Sequence, residues 1–264
     1  MNQAVSIERF GTVATVVLNR PEVRNAVDPP TAAALIAAVQ GLDRDDSVHA
    51  IVLWGAGGTF CAGADLRAVS AGWNPAALQA PSGEPSDPFG PMGPTRLELC
   101  KPVIAAVAGF AVAGGLELAA WCDLRVAEAD AVFGVFCRRW GVPLIDGGTV
   151  RLPRLIGESR ALDMILTGRG VDANEALAMG LVNRLVPRGE ARAAAENLAR
   201  EIAGFPQGCL RADRASCRGQ WGMGQGAALT QEFTGGYEVL ASGESARGAS
   251  RFVAGAGRSG KPVG

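Results

Sequence analysis

Two glycine-containing turns and one glutamate are the features of this sequence best suited to chemistry. The first turn reads GGTFCAGADL at residues 57–66, and the second reads GFAVAGGLEL at residues 109–118. Main-chain amides at a helix start are unpaired and favour negative charge. One amide from each turn can therefore hold the oxygen of an enolate or tetrahedral intermediate, a contact worth about 3–4 kcal/mol in a transition state. Glu117 lies one helical turn beyond Gly114, where it is placed to act as a general acid or base.

A structural interpretation of the same residues stays open at this point. The glycines would then serve close packing, and Glu117 would only stabilise a helix dipole. Other chemistries are disfavoured, because the single histidine, His49, begins a predicted buried strand and suits a core or strand-end role. No glycine loop ends in GK[ST], Phe60 replaces the third glycine of a dinucleotide fingerprint, and the six cysteines form no CxxC pair. We therefore predict no metal site.

Composition places the chain among globular proteins of near-neutral charge. Its 264 residues are 48% hydrophobic and 19% charged, which suits one large domain or a domain with a smaller appendage. Lys and Arg number 25 against 26 Asp and Glu, and this balance argues against a nucleic-acid partner. No secretory signal is visible, and the most apolar stretch, residues 103–116, is too short to span a membrane. We expect a cytoplasmic protein without a membrane partner.

Alternating strands and helices must position the two turns. β-Branched or apolar runs predict strands at 5–7, 12–18, 49–53, 103–107, 124–127 and 131–133, with a hairpin turn at Phe10-Gly11. Asp28 is predicted to cap an Ala-rich helix that ends near Gly41. Helical periodicity dominates later, at 159–166, 174–179, 190–202 and 227–240. The order predicts an α/β N-terminal part and an α-rich C-terminal part.

One segment interrupts this pattern. Ten of the 23 residues from 72 to 94 are Gly or Pro, which excludes a regular helix or strand. A functional lid and a tolerated surface insertion are both open interpretations of this segment.

Four segments together resemble the enoyl-CoA hydratase/isomerase, or crotonase, superfamily. They are NRPEVRNAVD at 19–28, GGTFCAGADL at 57–66, KPVIAAVAGFAVAGGLELAAWCD at 101–123 and GLVNRLV at 180–186. The resemblance implies an α/β fold of ββα-type repeats with a spiral sheet core over residues 1–195. It also implies a helical trimerisation region over residues 196–264. The match is specific for the fold and less specific for the reaction, because this fold hosts many reactions.

The resemblance also implies a substrate and a site. Members bind acyl-CoA thioesters without a separate cofactor, and by motif match the amides of Ala64 and Gly114 would hold the thioester oxygen. The family assembles as homotrimers or hexamers, which we expect here. The residues implied to bind the CoA moiety are Arg24, Ala26, Ala62, Asp65, Leu66 and Arg67. An ordinary surface charge is the alternative role for the two arginines.

The sequence departs from two-glutamate hydratases at one position. Glu117 matches the first glutamate, but the second position falls on Cys137, within FGVFCRRWG. A thiol does not replace a carboxylate as a proton donor without large pKa tuning, so Cys137 and Trp140 are predicted as pocket walls. Asp146 is the compensating candidate, as a second acid/base or as the N-cap of the helix that begins near Gly147.

Enoyl-CoA hydration with an incomplete glutamate pair is therefore the expected reaction. Isomerisation of an enoyl- or dienoyl-CoA needs only a proton shuttle on one face and is the first alternative. Acyl-CoA binding with little turnover is the second. Trp73 is predicted to join Trp140 in the pocket wall. Arg138 and Arg139 are predicted to pair with a substrate carboxylate or with neighbouring acids.

Overall fold

The chain folds into two β-sheets surrounded by helices in a computed structural model that describes residues 3–72 and 89–257. The strands in this part are β1 (Val5–Phe10), β2 (Val13–Leu18), β3 (Ala50–Gly55), β4 (Val103–Val107), β5 (Phe110–Val112), β6 (Leu124–Glu128), β7 (Val132–Gly134), β8 (Gly170–Asp172) and β9 (Arg184–Val186). The helices are α1 (Pro29–Arg44), α2 (Leu66–Ser70), α3 (Gly114–Trp121), α4 (Gly148–Ile156), α5 (Glu158–Thr167), α6 (Ala173–Ala178), α7 (Ala191–Ala203), α8 (Gln207–Gly219), α9 (Gln225–Ala241) and α10 (Glu244–Val253). Short 3-10 helices lie at Pro21–Val23, Pro94–Arg96 and Phe136–Trp140.

The larger sheet has the strand order β1-β2-β3-β4-β6-β9. β1 and β2 form the predicted antiparallel hairpin, and every later pair in this sheet is parallel. The smaller sheet has the order β5-β7-β8, with β5 parallel and β8 antiparallel to β7. The α/β class that the sequence predicted is confirmed, including the parallel-rich core.

Alternate residues of the central strands enter two different apolar layers, as the two-residue repeat of a strand requires. In β3, Ile51 and Leu53 join the large cluster that also contains α1 and α3. Ala50 and Val52 face the opposite layer, where they pack with Ala195 and other small residues of α7. The strands are buried on both faces, which explains why they appear in the sequence as uninterrupted apolar runs.

The predicted helices and strands agree with the structure to within a few residues. Asp28 caps α1, since its carboxylate accepts a hydrogen bond from the Thr31 amide, and α1 continues to Arg44. His49 lies at a strand start, where Nδ1 is 3.2 Å from the Ala203 carbonyl oxygen, in keeping with its predicted structural role. The short strands β5, β8 and β9 and the helices α8 and α10 were missed. Residues 73–88 of the predicted lid or insertion, Trp73 included, lie outside the described residues.

The predicted domain boundary after residue 195 falls inside α7. Because α7 packs along β2, β3, β4 and β6, it belongs with the core, and a division of the chain fits better after Ala203. The helices α8, α9 and α10 differ from α7, because none of their residues is buried. Large apolar side chains are exposed on α9 and α10 and in the link between α8 and α9, namely Leu229, Phe233, Tyr237, Leu240, Phe252, Val253 and, in the link, Trp221.

Candidate active site

The two glycine-containing turns lie side by side and are joined by main-chain hydrogen bonds. The Cys61 amide donates to the Phe110 carbonyl at 3.0 Å, and the Val112 amide donates to the Cys61 carbonyl at 3.1 Å. This bridge brings α3 close to the first turn. A Cβ atom on Gly115 would lie 2.0 Å from the Cys61 carbonyl oxygen, so only glycine fits at that position. The second turn therefore contains a short strand, β5, which pairs with the first turn at Cys61.

Ala64 and Gly114 present unpaired amides in the two adjoining turns. Gly114 is the first residue of α3, whose first amides have no partner within the helix. Ala64 precedes Asp65, the N-cap of α2, so a helix start does not explain its amide. Val27 forms a parallel bridge with this segment: its amide donates to the Gly63 carbonyl, and its carbonyl accepts from the Asp65 amide. The Ala64 amide takes no part in this bridge and points away from Val27. Neither amide donates to another group within residues 3–72 and 89–257.

The backbone is strained directly before the second amide. Ala113 adopts φ 54° and ψ −128°, a conformation that costs a non-glycine residue on the order of 1–3 kcal/mol. Its amide donates to the Gly134 carbonyl at 2.8 Å, and this bond helps to hold the strained turn. A Cβ atom on Gly63 would lie 2.8 Å from the Ala113 Cβ and 2.9 Å from the Gly114 nitrogen. Close packing of the turns thus fixes the direction of the Gly114 amide.

Glu117 is a buried carboxyl group with an unusually high pKa. Its side chain lies in the first turn of α3 and the residue is 2% exposed. Oε1 accepts hydrogen bonds from the Asp146 amide at 2.9 Å and the Gly148 amide at 2.8 Å. Burial, and next the negative charge of Asp146, raise the pKa of Glu117 to about 7. A carboxyl group with this pKa can donate or accept a proton near neutral pH.

Asp146 is the second buried carboxyl group of the site and is 3% exposed. Its Oδ1 accepts hydrogen bonds from the Met92 amide at 3.0 Å and from the Thr95 hydroxyl. Burial raises the pKa of Asp146, although these two donors and the charges of Arg96 and Arg151 oppose the increase. The capping interpretation of Asp146 is wrong: α4 is capped by Gly147 with no side-chain hydrogen bond, because the Asp146 carboxylate is bound to the 92–95 segment.

Both carboxyl groups line one largely apolar cavity of about 710 Å³. The wall also includes Ala64 and Gly114, so the unpaired amides and the acids open into the same space. Cys137 and Trp140 line it as predicted, and Trp140 is 69% exposed. Further apolar lining residues include Leu66, Val69, Pro91, Met92, Val112, Phe136, Val142, Pro143 and Ile145.

The residues predicted to bind CoA divide into two groups. Arg24, Ala62 and Leu66 line the cavity, and the Ala62 amide donates to the Arg24 carbonyl at 3.0 Å. The other three, Ala26, Asp65 and Arg67, do not line it. Ala26 accepts a hydrogen bond from Arg20 through its carbonyl, and Arg67 is exposed.

Asp65 has a visible structural task. Its carboxylate accepts from the Arg67 amide as the cap of α2 and pairs with Arg20 at 3.1 Å. A negative side chain held by these two contacts supports the turn that carries the Ala64 amide. Its role in binding CoA stays a prediction.

Cys137 carries a protonated thiol. Burial, followed by the charge of Glu117, raises its pKa, so the thiolate needed for nucleophilic attack is disfavoured. Arg138 donates to the Ile165 carbonyl at 3.0 Å, and Arg139 donates to the Gly168 carbonyl at 3.2 Å. Neither arginine lines the cavity, so the structure does not bear out their predicted pairing with a carboxylate.

Three contributors to the site were not anticipated from the sequence. Met92 lies in the Gly- and Pro-rich segment, Thr95 directly follows that segment, and both bind Asp146. Arg151 donates to the carbonyls of Asp146 at 2.9 Å and Thr95 at 2.6 Å. Across the described ranges, no cluster of His, Cys, Asp or Glu side chains suits a metal ion. No helix there has the length and apolarity to cross a membrane.

Comparison with known proteins identifies the family of this chain. The family model described as "Enoyl-CoA hydratase/isomerase" matches residues 8–255. A relative named enoyl-CoA hydratase EchA19, from Mycobacterium tuberculosis, is 36% identical and aligns over 94% of this chain and 92% of its own length. A second relative, mevalonyl-coenzyme A hydratase SIDH from Beauveria bassiana, is 39% identical over 91% of this chain and 88% of its own length.

Solved structures show the same fold. The crystal structure of enoyl-CoA hydratase EchA1 from Mycobacterium marinum superposes with a TM-score of 0.86 at 33% identity, and the match covers 95% of each chain. The fold and the site thus define an acyl-CoA enzyme of the crotonase superfamily. The chain belongs to the enoyl-CoA hydratase/isomerase family.

Proposed function

We propose that the protein hydrates a 2-enoyl-CoA and uses Glu117 and Asp146 as its acid–base pair. The observation that carries this proposal is the placement of two buried carboxyl groups in one apolar cavity beside two unpaired amides. The named hydratases among its relatives support the same reaction. Pure acyl-CoA binding is a weaker proposal, because a binding protein gains nothing from two buried acids.

The thioester oxygen would accept hydrogen bonds from the amides of Ala64 and Gly114. We assign Asp146 as the ionised member of the pair, because the Thr95 and Met92 donors and two arginines favour its charged form, whereas the pKa of Glu117 is raised to about 7. Asp146 takes a proton from water as the water oxygen bonds to C3 of the substrate. The electrons of the C2–C3 double bond move onto the thioester as an enolate, which the amides stabilise. Glu117 then protonates C2, and exchange with solvent returns a proton to Glu117 and removes one from Asp146.

Burial of the acids makes this division of roles effective. In an apolar cavity, two carboxylates that feel each other's charge cannot both ionise cheaply, so Glu117 keeps its proton up to a pH of about 7 while Asp146 is charged. The CoA moiety would lie against Arg24, Ala62 and Leu66, whose small or flexible groups border the same cavity. The cytoplasmic location and the lack of a separate cofactor stay predictions.

Crotonyl-CoA in H₂¹⁸O provides the test of this function. Mass spectrometry should show one added water that carries the ¹⁸O label. The variant Glu158→Gln, which alters an exposed glutamate at the start of α5, is the control and should keep full activity. Absence of the labelled product with C4, C6 and C8 enoyl-CoA substrates would contradict hydration.

Isomerisation is a second candidate because Cys137 occupies the position of the second hydratase glutamate. A pair of acids can also move a proton between C2 and C4 without adding water. Incubation of 3-hexenoyl-CoA in D₂O would then give 2-hexenoyl-CoA with deuterium at C4 and no gain of water. Failure to convert 3-hexenoyl-CoA, together with a water adduct from 2-hexenoyl-CoA, would argue against this candidate.

The proposed pair predicts a bell-shaped dependence of kcat/KM on pH. Glu117 must be protonated, so the rate should fall as pH rises through about 7, the pKa of its buried carboxyl group. Asp146 must be ionised, so the rate should also fall on the acid side. Initial rates from pH 4.5 to 9.5 check this expectation, with preincubation at each pH to exclude inactivation. A flat profile between pH 6 and 9 would contradict it.

We propose that the exposed apolar residues of α8 to α10 form a homotrimer interface, or that of a hexamer built from trimers. Phe233 is 71% exposed and stacks with Tyr237, and such a patch suits a subunit contact. Light scattering should give a mass about three or six times that of the 27.1 kDa chain.

The variant Phe233→Glu should dissociate the assembly by placing charges within this interface. Leu166→Glu, at an equally exposed position on α5, is the matched control and should leave the mass unchanged. A monomeric wild-type protein at micromolar concentration would refute the interface.

A further inference from the structure

We infer that Thr95 is a positioning residue for the acid–base pair, with its hydroxyl fixing one oxygen of the Asp146 carboxylate. This inference rests on the proposed role of Asp146 and assigns a task to a residue outside the cavity wall. Thr95 does not line the cavity within the described parts of the chain, so it would act on the reaction through Asp146.

Thr95 and its neighbour Met92 fix the position of the Asp146 carboxylate by hydrogen bonds. Thr95 is fully buried in the 3-10 helix Pro94–Arg96, and its hydroxyl donates to Oδ1 of Asp146. The Met92 amide donates to the same oxygen at 3.0 Å. Both donors thus bind the same oxygen of a carboxyl group that lines the cavity. This arrangement matches the usual design of a catalytic base whose orientation is set by another group.

The backbone around Thr95 is shaped to admit these hydrogen bonds. A Cβ atom on Gly90 would lie 2.1 Å from Oγ1 of Thr95 and 2.3 Å from Oδ1 of Asp146. Gly90 also forms a bridge with Gly93, whose amide donates to the Gly90 carbonyl at 2.8 Å. A glycine at position 90 is therefore required for Thr95 and Asp146 to meet, and the turn at 90–93 supports their contact.

Arg151 links the segment that contains Thr95 to the loop that contains Asp146. Its guanidinium donates to the Thr95 carbonyl at 2.6 Å and to the Asp146 carbonyl at 2.9 Å. The Asp146 amide in turn donates to Oε1 of Glu117 at 2.9 Å. Thr95 thus contacts Asp146 directly and is connected through Asp146 to Glu117. Removal of its hydroxyl should therefore change the catalytic rate.

The Thr95 hydroxyl also favours the ionised form of Asp146. The charged and titratable groups around Asp146 are Glu117 from α3, Arg96 from the 3-10 helix and Arg151 from α4. Both arginines and the two donors lower the pKa of Asp146, whereas burial raises it. Loss of the Thr95 donor would therefore move the acid side of the pH–rate profile to higher pH, which a packing role alone would not do.

The test compares Thr95→Val, which keeps the shape and removes the donor, with Thr95→Ser, which keeps the hydroxyl. For Thr95→Val we expect kcat to fall about 10- to 100-fold at pH 6, with little change in KM. We expect the acid limb of the pH–rate profile to move to higher pH by about one to two pH units. Thr95→Ser should retain the wild-type limb and most of kcat. Thermal unfolding verifies that each variant is folded, and Thr95→Cys, a weak donor of similar size, replaces the Val variant if that variant does not fold.

An unchanged acid limb and kcat in a folded Val or Cys variant would overturn the role of Thr95. So would a serine variant that behaves like valine. Asp146→Asn separates the inference from the proposed function. If Asp146→Asn abolishes activity while the Thr95 variants are normal, only the positioning role fails. If Asp146→Asn is fully active, the proposed acid–base pair itself fails, and the role of Thr95 fails with it.

Discussion

The variant Glu117→Gln is expected to lower kcat for enoyl-CoA hydration by about 10³-fold. Glutamine keeps the size of the side chain and an oxygen that can accept the amides of Asp146 and Gly148. It cannot donate a carboxylic proton to C2 of the substrate. The loss should therefore appear in kcat, with KM and the unfolding temperature close to those of the wild type.

The measurement for Glu117→Gln is single-turnover kinetics with crotonyl-CoA beside equilibrium binding of a non-reactive acyl-CoA. Unchanged binding together with a slow chemical step would assign Glu117 to the chemistry. Glu158→Gln again serves as the matched control, because its side chain is exposed and does not line the cavity. A Glu117→Gln variant within tenfold of wild-type kcat would remove Glu117 from the mechanism.

The residues that the sequence predicted best are those whose function depends on local structure. The turn at Gly114 and the acid at Glu117 belong to one helix start, so the spacing of three residues alone places them on the same side. Asp28 at the start of α1 is a similar case, since a cap and its partner lie three residues apart. The buried strand at 103–107 was also predictable, because apolar residues on both faces leave an uninterrupted run.

The remainder of the site depends on contacts between distant segments, which local patterns do not specify. The hydrogen bond from Thr95 to Asp146 joins positions 51 residues apart. The sequence at 90–95, GPMGPT, is rich in Gly and Pro, and it predicts an irregular segment without indicating what that segment contacts. The same limit explains the capping interpretation of Asp146, because an acid before a helix most often caps it. Here the carboxylate is drawn away by the Met92 and Thr95 donors.

Glycines at the site allow main-chain groups to approach more closely than any side chain would permit. Gly148 lies so close to Glu117 that a Cβ atom there would be 2.9 Å from Oε1 of that carboxylate. The Gly148 amide can approach Glu117 only because the side chain is absent. Gly115 allows the Cys61 carbonyl to approach in the same way. A composition with 36 glycines therefore reflects close main-chain approaches at the site as well as turns.

The variant Asp146→Asn is the second large effect that we expect, with a loss in kcat of about 10²- to 10⁴-fold. Asparagine can still accept the Met92 amide and the Thr95 hydroxyl through its carbonyl oxygen, so the 92–95 segment should stay in place. The variant lacks a base to take the proton from water. Steady-state rates with crotonyl-CoA measure the loss, and Asp46→Asn, an exposed position after α1, is the control.

The residual activity of Asp146→Asn carries a second, independent expectation. The negative charge of Asp146 helps to raise the pKa of Glu117 to about 7, so its removal should move the alkaline limb of the pH–rate profile to lower pH. The double variant with Glu117→Gln should be hardly slower than the more severe single variant, because the two acids act as one unit. Fully multiplicative losses together with an unmoved alkaline limb would mean that the carboxyl groups work separately, and Asp146 would then have no part in setting the acidity of Glu117.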